Sequence, residues 1–251
     1  MAEIKTYNGR PAIFIDGIPQ PPMMATIRTS PSTIGNEKIL DREYFRSLGK
    51  AGIKIFFLIC DTEWIVPNAI ELFCEEAEML LSEIPDAYIV ARLGLHPSNE
   101  WIEAHPEECL TFSDGSSPIT RLTTESYSTD MPHCYSLSSS VWRRDAGEHL
   151  KKTWRKLMSL PYADRIIGCF PCAGGTSEWY YPLWPYDMEK QIAGDYSLAF
   201  KRNFTEYLTE VYGSDKALRE AWKNPDATLF DPPIPSWEKH YFIRGDRKSV
   251  V

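Results

Sequence analysis

Apolar and polar residues alternate through IKTYNGRPAIFIDGI (residues 4–18), broken by Asn8-Gly9 and Asp16-Gly17, and this pattern predicts a small β-hairpin. Gln20-Pro21-Pro22 then leads into MMATI, a short buried strand ending near Ile27, and the polar RTSPSTIGNE that follows is a loop. From Asp41 the period becomes helical. Tyr44, Phe45 and Leu48 share one face of DREYFRSLGKAG, with Asp41 as N-cap and Gly49 or Gly52 as the stop. IKIFFLIC (53–60) is apolar on both faces, the signature of a parallel strand covered from both sides.

Helical spacing returns near Pro67 and runs through AIELFCEEAEMLLSEI, where Ile70, Phe73, Ala77, Leu80, Leu81 and Ile84 form a stripe that Pro85 ends. YIVARLGL (88–95) is a third apolar strand. Residues 111–140 break the rhythm: they are rich in Ser, Thr, Asp, Gly and Pro, and too long for a simple connection, so they read as an inserted or functional loop. A further helix, VWRRDAGEHLKKTWRKLMSL, turns Leu150, Trp154, Leu157 and Met158 inward and closes at Pro161, and Ile166 opens a fourth strand. A helix from about Tyr196 carries Phe200, Phe204, Leu208 and Val211 and stops at Gly213. Ser214 or Asp215 then caps ALREAW, and no fifth strand is visible in the proline-rich and basic remainder.

The order is strand, helix, strand, helix, with site-like residues after each strand's C-terminal end. That is the pattern of a (β/α)8 TIM-type barrel, an α/β fold, with about the first four β/α units present. Residues 1–20 form the hairpin that leads into the barrel, and 21–251 form the partial barrel with its insertion at 111–140.

Charge narrows the partners. With 35 acidic and 27 basic residues the chain carries a net charge of −8. Phosphate binding needs a positive field, so neither nucleic acid nor an anionic membrane is expected as a partner. The N-terminus has no basic segment followed by an apolar run, and no stretch approaches the ~18 apolar residues of a membrane span, so the chain reads as cytoplasmic. Six scattered cysteines suit reduced thiols, and the lone Cys169-x-x-Cys172 lacks a second pair or a nearby His. The five histidines show no HExxH spacing, and neither a GxGxxG nor a P-loop pattern occurs. Neither metal nor nucleotide cofactor is expected.

Candidate chemistry gathers where strands end. IIGCFPCAGGTSEWYYP (166–182) runs from the fourth strand through Gly174-Gly175 to one carboxylate, Glu178, walled by Trp179, Tyr180 and Tyr181. Aromatic walls desolvate a carboxylate and raise its pKa, which favours a proton donor. Asp61 and Trp64, with Glu63, follow the second strand, and are suited to sugar hydroxyls and to ring stacking. Arg92 inside an apolar strand needs an anionic partner, catalytic or structural, and His96 stands just past that strand. Trp101, His105, Glu107 and Glu108 fall on the following helical segment and read as structural.

DGIPQPPM at the first strand, RLGLHPSNEWIEAHPEE around the third, IIGCFPCAGGTSEWYYP at the fourth, and DYSLAFKRNFTEYL with YGSDKALREAW after it together carry a resemblance. The chain resembles the N-terminal half of a clan A glycoside hydrolase, and is most similar to the family 42 β-galactosidase-like group, from about Asn8 to Trp222. The resemblance implies a retaining glycosidase acting on β-linked glycosides, such as β-galactosides, with Glu178 in the acid/base position after strand four. It places the nucleophile after strand seven, beyond this chain. Where the clan has Asn contacting the sugar 2-hydroxyl, this sequence has Ser177. A carbohydrate substrate is the implied partner. Two other readings are a barrel that binds carbohydrate without catalysis, and a homo-oligomer of half-barrels that completes eight strands.

Overall fold

The runs that are apolar on both faces assemble into a single parallel sheet, in a computed structural model that describes residues 2–21, 23–26, 42–112, 115, 117, 135–173, 179 and 195–230. The chain divides into two compact units, residues 1–96 with 146–173 and residues 97–145 with 174–251.

The first unit opens with β1 (Ala2–Tyr7), β2 (Arg10–Ile15) and β3 (Ile18–Pro19), an antiparallel sheet in the order β1-β2-β3. Both turn signals are realised, and the hairpin gains a short third strand: Asn8-Gly9 and Asp16-Gly17 all have positive φ, the left-handed geometry of tight two-residue turns. Next come β4 (Met24–Thr26), α1 (Arg42–Lys50), β5 (Ile55–Asp61), α2 (Ala69–Glu83) and β6 (Tyr88–Gly94). α3 (Asn99–Ala104) belongs to the second unit, and α4 (Ser140–Leu157) precedes β7 (Ile166–Cys172). The parallel sheet has the order β4-β5-β6-β7. Register is continuous from β4 to β6, Phe57 pairing Thr26 and Val90, and shifts once between β6 and β7 near Ile89. Among the described residues the sheet is open, with no closed barrel.

Side chains alternate across a strand, so one sheet face carries Phe56, Leu58, Cys60, Ile89, Ala91 and Leu93. These pack with Phe45 of α1, with Phe73, Ala77 and Leu80 of α2, and with Leu157 at the end of α4. Leu150 and Trp154 lie against the same cluster, as their spacing predicts. Three stripe members point elsewhere. Tyr44 is 47% exposed, Met158 lies one residue past the end of α4 and is also exposed, and Val211 is exposed on its helix. Each borders a true core position, Phe45 or Leu157, or lies three residues past Leu208 at the rim of a wide apolar face. Gly52, rather than Gly49, takes the positive φ after α1, and Asp41 lies outside the described residues.

In the second unit, α5 (Leu198–Tyr212) and α6 (Asp215–Trp222) enclose a small core of Leu208, Leu218, Ala227 and Leu229. Ser197 and Ser214 cap the two helices by accepting from Phe200 N–H and Ala217 N–H, and Gly213 ends α5 with a φ of 67°. Arg202 forks onto both oxygens of buried Glu108 at 3.0 and 3.1 Å. Burial alone would push that carboxyl up, but hydrogen bonds from Ser139 and Arg202 outweigh it and hold it below the usual range. Trp101 donates its indole N–H to Asp145 at 2.9 Å and stacks on His105. Trp101, His105 and Glu108 are thus engaged within this unit, whereas Glu107 is exposed.

Phe73 is fully buried in the first unit's core. Phe73→Ala is expected to cost about 3–5 kcal/mol of unfolding free energy. Tyr44→Ala, one face away on α1, is expected to stay within about 0.5 kcal/mol. Urea denaturation midpoints check both, and similar losses at the two positions would refute the assigned faces.

Candidate functional site

All four strands of the larger sheet run the same way, so their C-terminal ends share one edge, and that edge is where the sequence places its candidate chemistry. Asp61 is the last residue of β5 and pairs in register with Gly94, the last residue of β6. Arg92 lies two residues before Gly94 and so points to the same sheet face as Asp61, the face opposite the helix-packed core. His96 follows immediately and is buried.

Gly94 is the residue that lets this cluster form. A methyl group built on it would strike Asp61 Oδ1 at less than any real Cβ contact and would lie 3.7 Å from His96 Cδ2. The Asp61 carboxylate therefore lies over the bare backbone of β6, with the His96 ring beside it. Isolated glycine inside a strand signals such a close approach, and that signal was present in YIVARLGL.

Burial pushes the Asp61 carboxyl above its ordinary range, and the nearby Arg92 charge offsets only part of that. A carboxyl so placed accepts hydrogen bonds when ionised and donates one when protonated, while the guanidinium donates at all pH values. Between them the two offer the mixed donor and acceptor set that ring hydroxyls require. Next to Asp61, the Thr62 hydroxyl is buried without a hydrogen-bond partner in the described structure. The backbone ladder extends past the strands here: Thr62 N–H donates to Gly94 carbonyl at 3.3 Å, and Leu95 N–H to Cys172 carbonyl at 2.9 Å.

The loop after β5 is anchored rather than open. Glu63 accepts from Lys156 at 2.5 Å and from Lys152 at 3.3 Å, and these bonds, the Lys156 bond first, hold its carboxyl below the usual range. Trp64 stacks on His149 with ring centroids 4.5 Å apart and planes 3° from parallel. One face of Trp64 is thus taken by His149 of α4, a contact across 85 positions that no local pattern announces. Glu63, Lys152, Lys156 and His149 together lock the segment that presents Asp61.

β7 ends at Cys172, whose thiol donates to Leu93 carbonyl at 3.3 Å. Cys169 stands three positions earlier, hence on the other sheet face, and is exposed, so the CxxC spacing does not bring the two sulfurs together. Ser177 and Glu178 lie outside the described residues. Trp179 belongs to the second unit, is 48% exposed and has a φ of 62°, a left-handed conformation uncommon for a bulky side chain. Among the described residues, no group of three or more His, Cys, Asp or Glu is placed to hold a metal ion, and no helix is long and apolar enough to cross a membrane.

No protein-family description matches the chain, and no curated protein sequence matches it. Solved structures do. A β-galactosidase from the psychrophilic Marinomonas ef1 superposes with a TM-score of 0.54 at 15% identity, over 86% of this chain and 29% of that one. The catalytic domain of a β-amylase from Paenibacillus polymyxa superposes with a TM-score of 0.53 at 14% identity, over 84% of this chain and 52% of that one. The likeness is one of fold, to two glycoside-cleaving enzymes, and the chain spans about half or less of each.

The upward shift at Asp61 has a sign that can be tested. The folded protein keeps this proton to higher pH than the unfolded chain does. Stability from the group is therefore full below the ordinary carboxylate range and is lost as pH rises through the folded-state value. Asp61→Asn is expected to raise the thermal midpoint at neutral pH, with the gain vanishing below about pH 4; a loss at neutral pH, or a gain that ignores pH, would contradict the placement. Gly94→Ala is expected to destabilise by about 1–3 kcal/mol, and by clearly less in an Asp61→Ala background. Additive losses in that double-mutant cycle would separate the two residues.

Proposed function

We propose that the protein carrying this chain is a retaining glycoside hydrolase acting on β-linked glycosides of the β-galactosidase type, with Glu178 as its general acid/base. The observation that carries the reading is the order of the parallel sheet: β7 is its fourth strand, and Glu178 follows the C-terminal end of β7 by six positions. Acid/base carboxylates of the clan that the sequence resembles follow strand four. The fold likeness to a β-galactosidase and a β-amylase catalytic domain supports the same class.

In this reading Glu178, kept protonated by Trp179 and Tyr180, gives its proton to the glycosidic oxygen as the bond to the anomeric carbon breaks. A second carboxylate about 5–5.5 Å away attacks that carbon and forms the glycosyl-enzyme. Glu178, now ionised, takes a proton from the water that releases the sugar. The clan draws the nucleophile from the seventh strand, which is not among the four described here. Asp61 and Arg92 bind ring hydroxyls, and His96, buried beside Gly94, supports Asp61 and adds a polar edge. Ser177, Trp64 and Trp179 are further sugar contacts in this reading. No step calls for a cofactor.

Glu178→Gln is expected to lower hydrolysis of alkyl β-glycosides by about 10²–10⁴-fold, the usual contribution of a positioned acid/base. Aryl glycosides with highly acidic leaving groups need no protonation in the first step. For these, the same variant is expected to accumulate the glycosyl-enzyme, with turnover restored by azide as the glycosyl azide. Near-normal turnover of alkyl glycosides would remove Glu178 from the mechanism.

A further inference from the structure

On the strand side Asp61 is fixed by register, since it pairs with Gly94 where β5 and β6 end. On the loop side it is held by α4. Glu63 bonds Lys156 at 2.5 Å and Lys152 at 3.3 Å, and the very next side chain, Trp64, stacks on His149. His149, Lys152 and Lys156 follow one another at i, i+3 and i+7, and so share one face of the helix over two turns. Beside that face Leu150, Trp154 and Leu157 pack into the main core, so α4 is a rigid support for whatever it grips. The loop backbone is turned tightly as well, with the N–H groups of Ile65 and Val66 both donating to Thr62 carbonyl at 3.1 Å.

A surface turn does not need so many ties. The Glu63 side chain is only 15% exposed, so its bonds to the two lysines are screened little by salt. They stand beside a carboxyl that the fold itself does not favour: Asp61 lies against the bare backbone of Gly94, poorly solvated, with Arg92 offsetting only part of that cost. Were the loop free, this side chain would turn toward water. We infer that Lys152, Lys156 and His149 are positioning residues, which grip Glu63 and Trp64 and thereby keep the Asp61 carboxyl over Gly94, turned to meet a sugar. The sugar contact rests on the glycosidase reading; the grip on Asp61 does not.

Carbon-13 NMR of the Asp61 carboxyl, assigned by its loss in Asp61→Asn, follows the titration of this group in the full chain and in a variant carrying both Lys152→Met and Lys156→Met. The two lysine side chains are 58% and 43% exposed, so the fold tolerates both changes. Loss of two cations would by charge alone raise the Asp61 pKa, whereas a released loop lets the carboxyl reach water and lowers it toward the ordinary carboxylate range. The sign separates the two causes. A downward shift is expected in the methionine variant and in His149→Ala, and none when both lysines are replaced by arginine. An upward or absent shift in the methionine variant, an absent shift in His149→Ala, or an arginine variant that shifts as far as the methionine one would overturn the inference. Calorimetric affinity for a galactose-shaped iminosugar is expected to fall by roughly 10- to 100-fold in the methionine variant; equal affinity in the two proteins would overturn it too. If the unaltered protein binds no iminosugar, the glycosidase reading fails while the titration still decides whether α4 positions Asp61.

Discussion

One constraint governs the larger unit: its four sheet strands all run in the same direction. Parallel neighbours cannot be joined by tight hairpins, so each connection must cross over, and the helices that do so cover one face of the sheet. The core of Phe45, Phe56, Phe73, Leu80 and Leu157 is the result. The same constraint sends every strand's C-terminal end to one edge. Residues far apart in the sequence, such as Asp61 and Gly94, become neighbours there without any local signal linking them.

What happens at that edge is a balance between burial and charge. Asp61 is carried into a poorly solvated position by the last residue of a strand, above a glycine that leaves room for it. Burial raises its pKa and Arg92 pulls it only partly back, so the pair is electrostatically costly to the fold. Perturbed carboxyl groups held against stability gather at functional sites, where a ligand rather than the fold repays the arrangement. Glu63 shows the contrast within two residues: it is fully engaged by Lys152 and Lys156, sits below its ordinary range and anchors the loop. Two carboxylates in one short segment thus take opposite roles because their surroundings differ.

Much of this was legible before any coordinates. Continuous apolar runs named all four parallel strands to within two residues, although Met24 of β4 and Phe170 of β7 are exposed. Asn8-Gly9, Asp16-Gly17 and Gly213 gave the turns and a helix end, since few other residues tolerate positive φ. Helical stripes were less secure. Tyr44 and Phe45 are adjacent and both aromatic, and only the packing against α2 decides which one is buried. The site was half legible: Asp61, Arg92 and His96 were readable as polar residues at strand ends, but the stack of Trp64 on His149 and the lysine clamp on Glu63 depend on where α4 crosses, which local spacing does not encode. The rhythm suggests about four β/α units of a barrel, and the described residues form an open parallel sheet of four strands.

The account stands on the C-terminal edge of the parallel sheet being a carbohydrate site. The most direct measurement is a crystal structure of the protein soaked with a galactose-shaped iminosugar, whose ring nitrogen carries the charge of the glycosidase transition state. The account predicts the ligand at the ends of β5 and β6, its hydroxyls within hydrogen-bond distance of Asp61 and Arg92. An iminosugar bound elsewhere, or no ligand density at millimolar concentration, would contradict it.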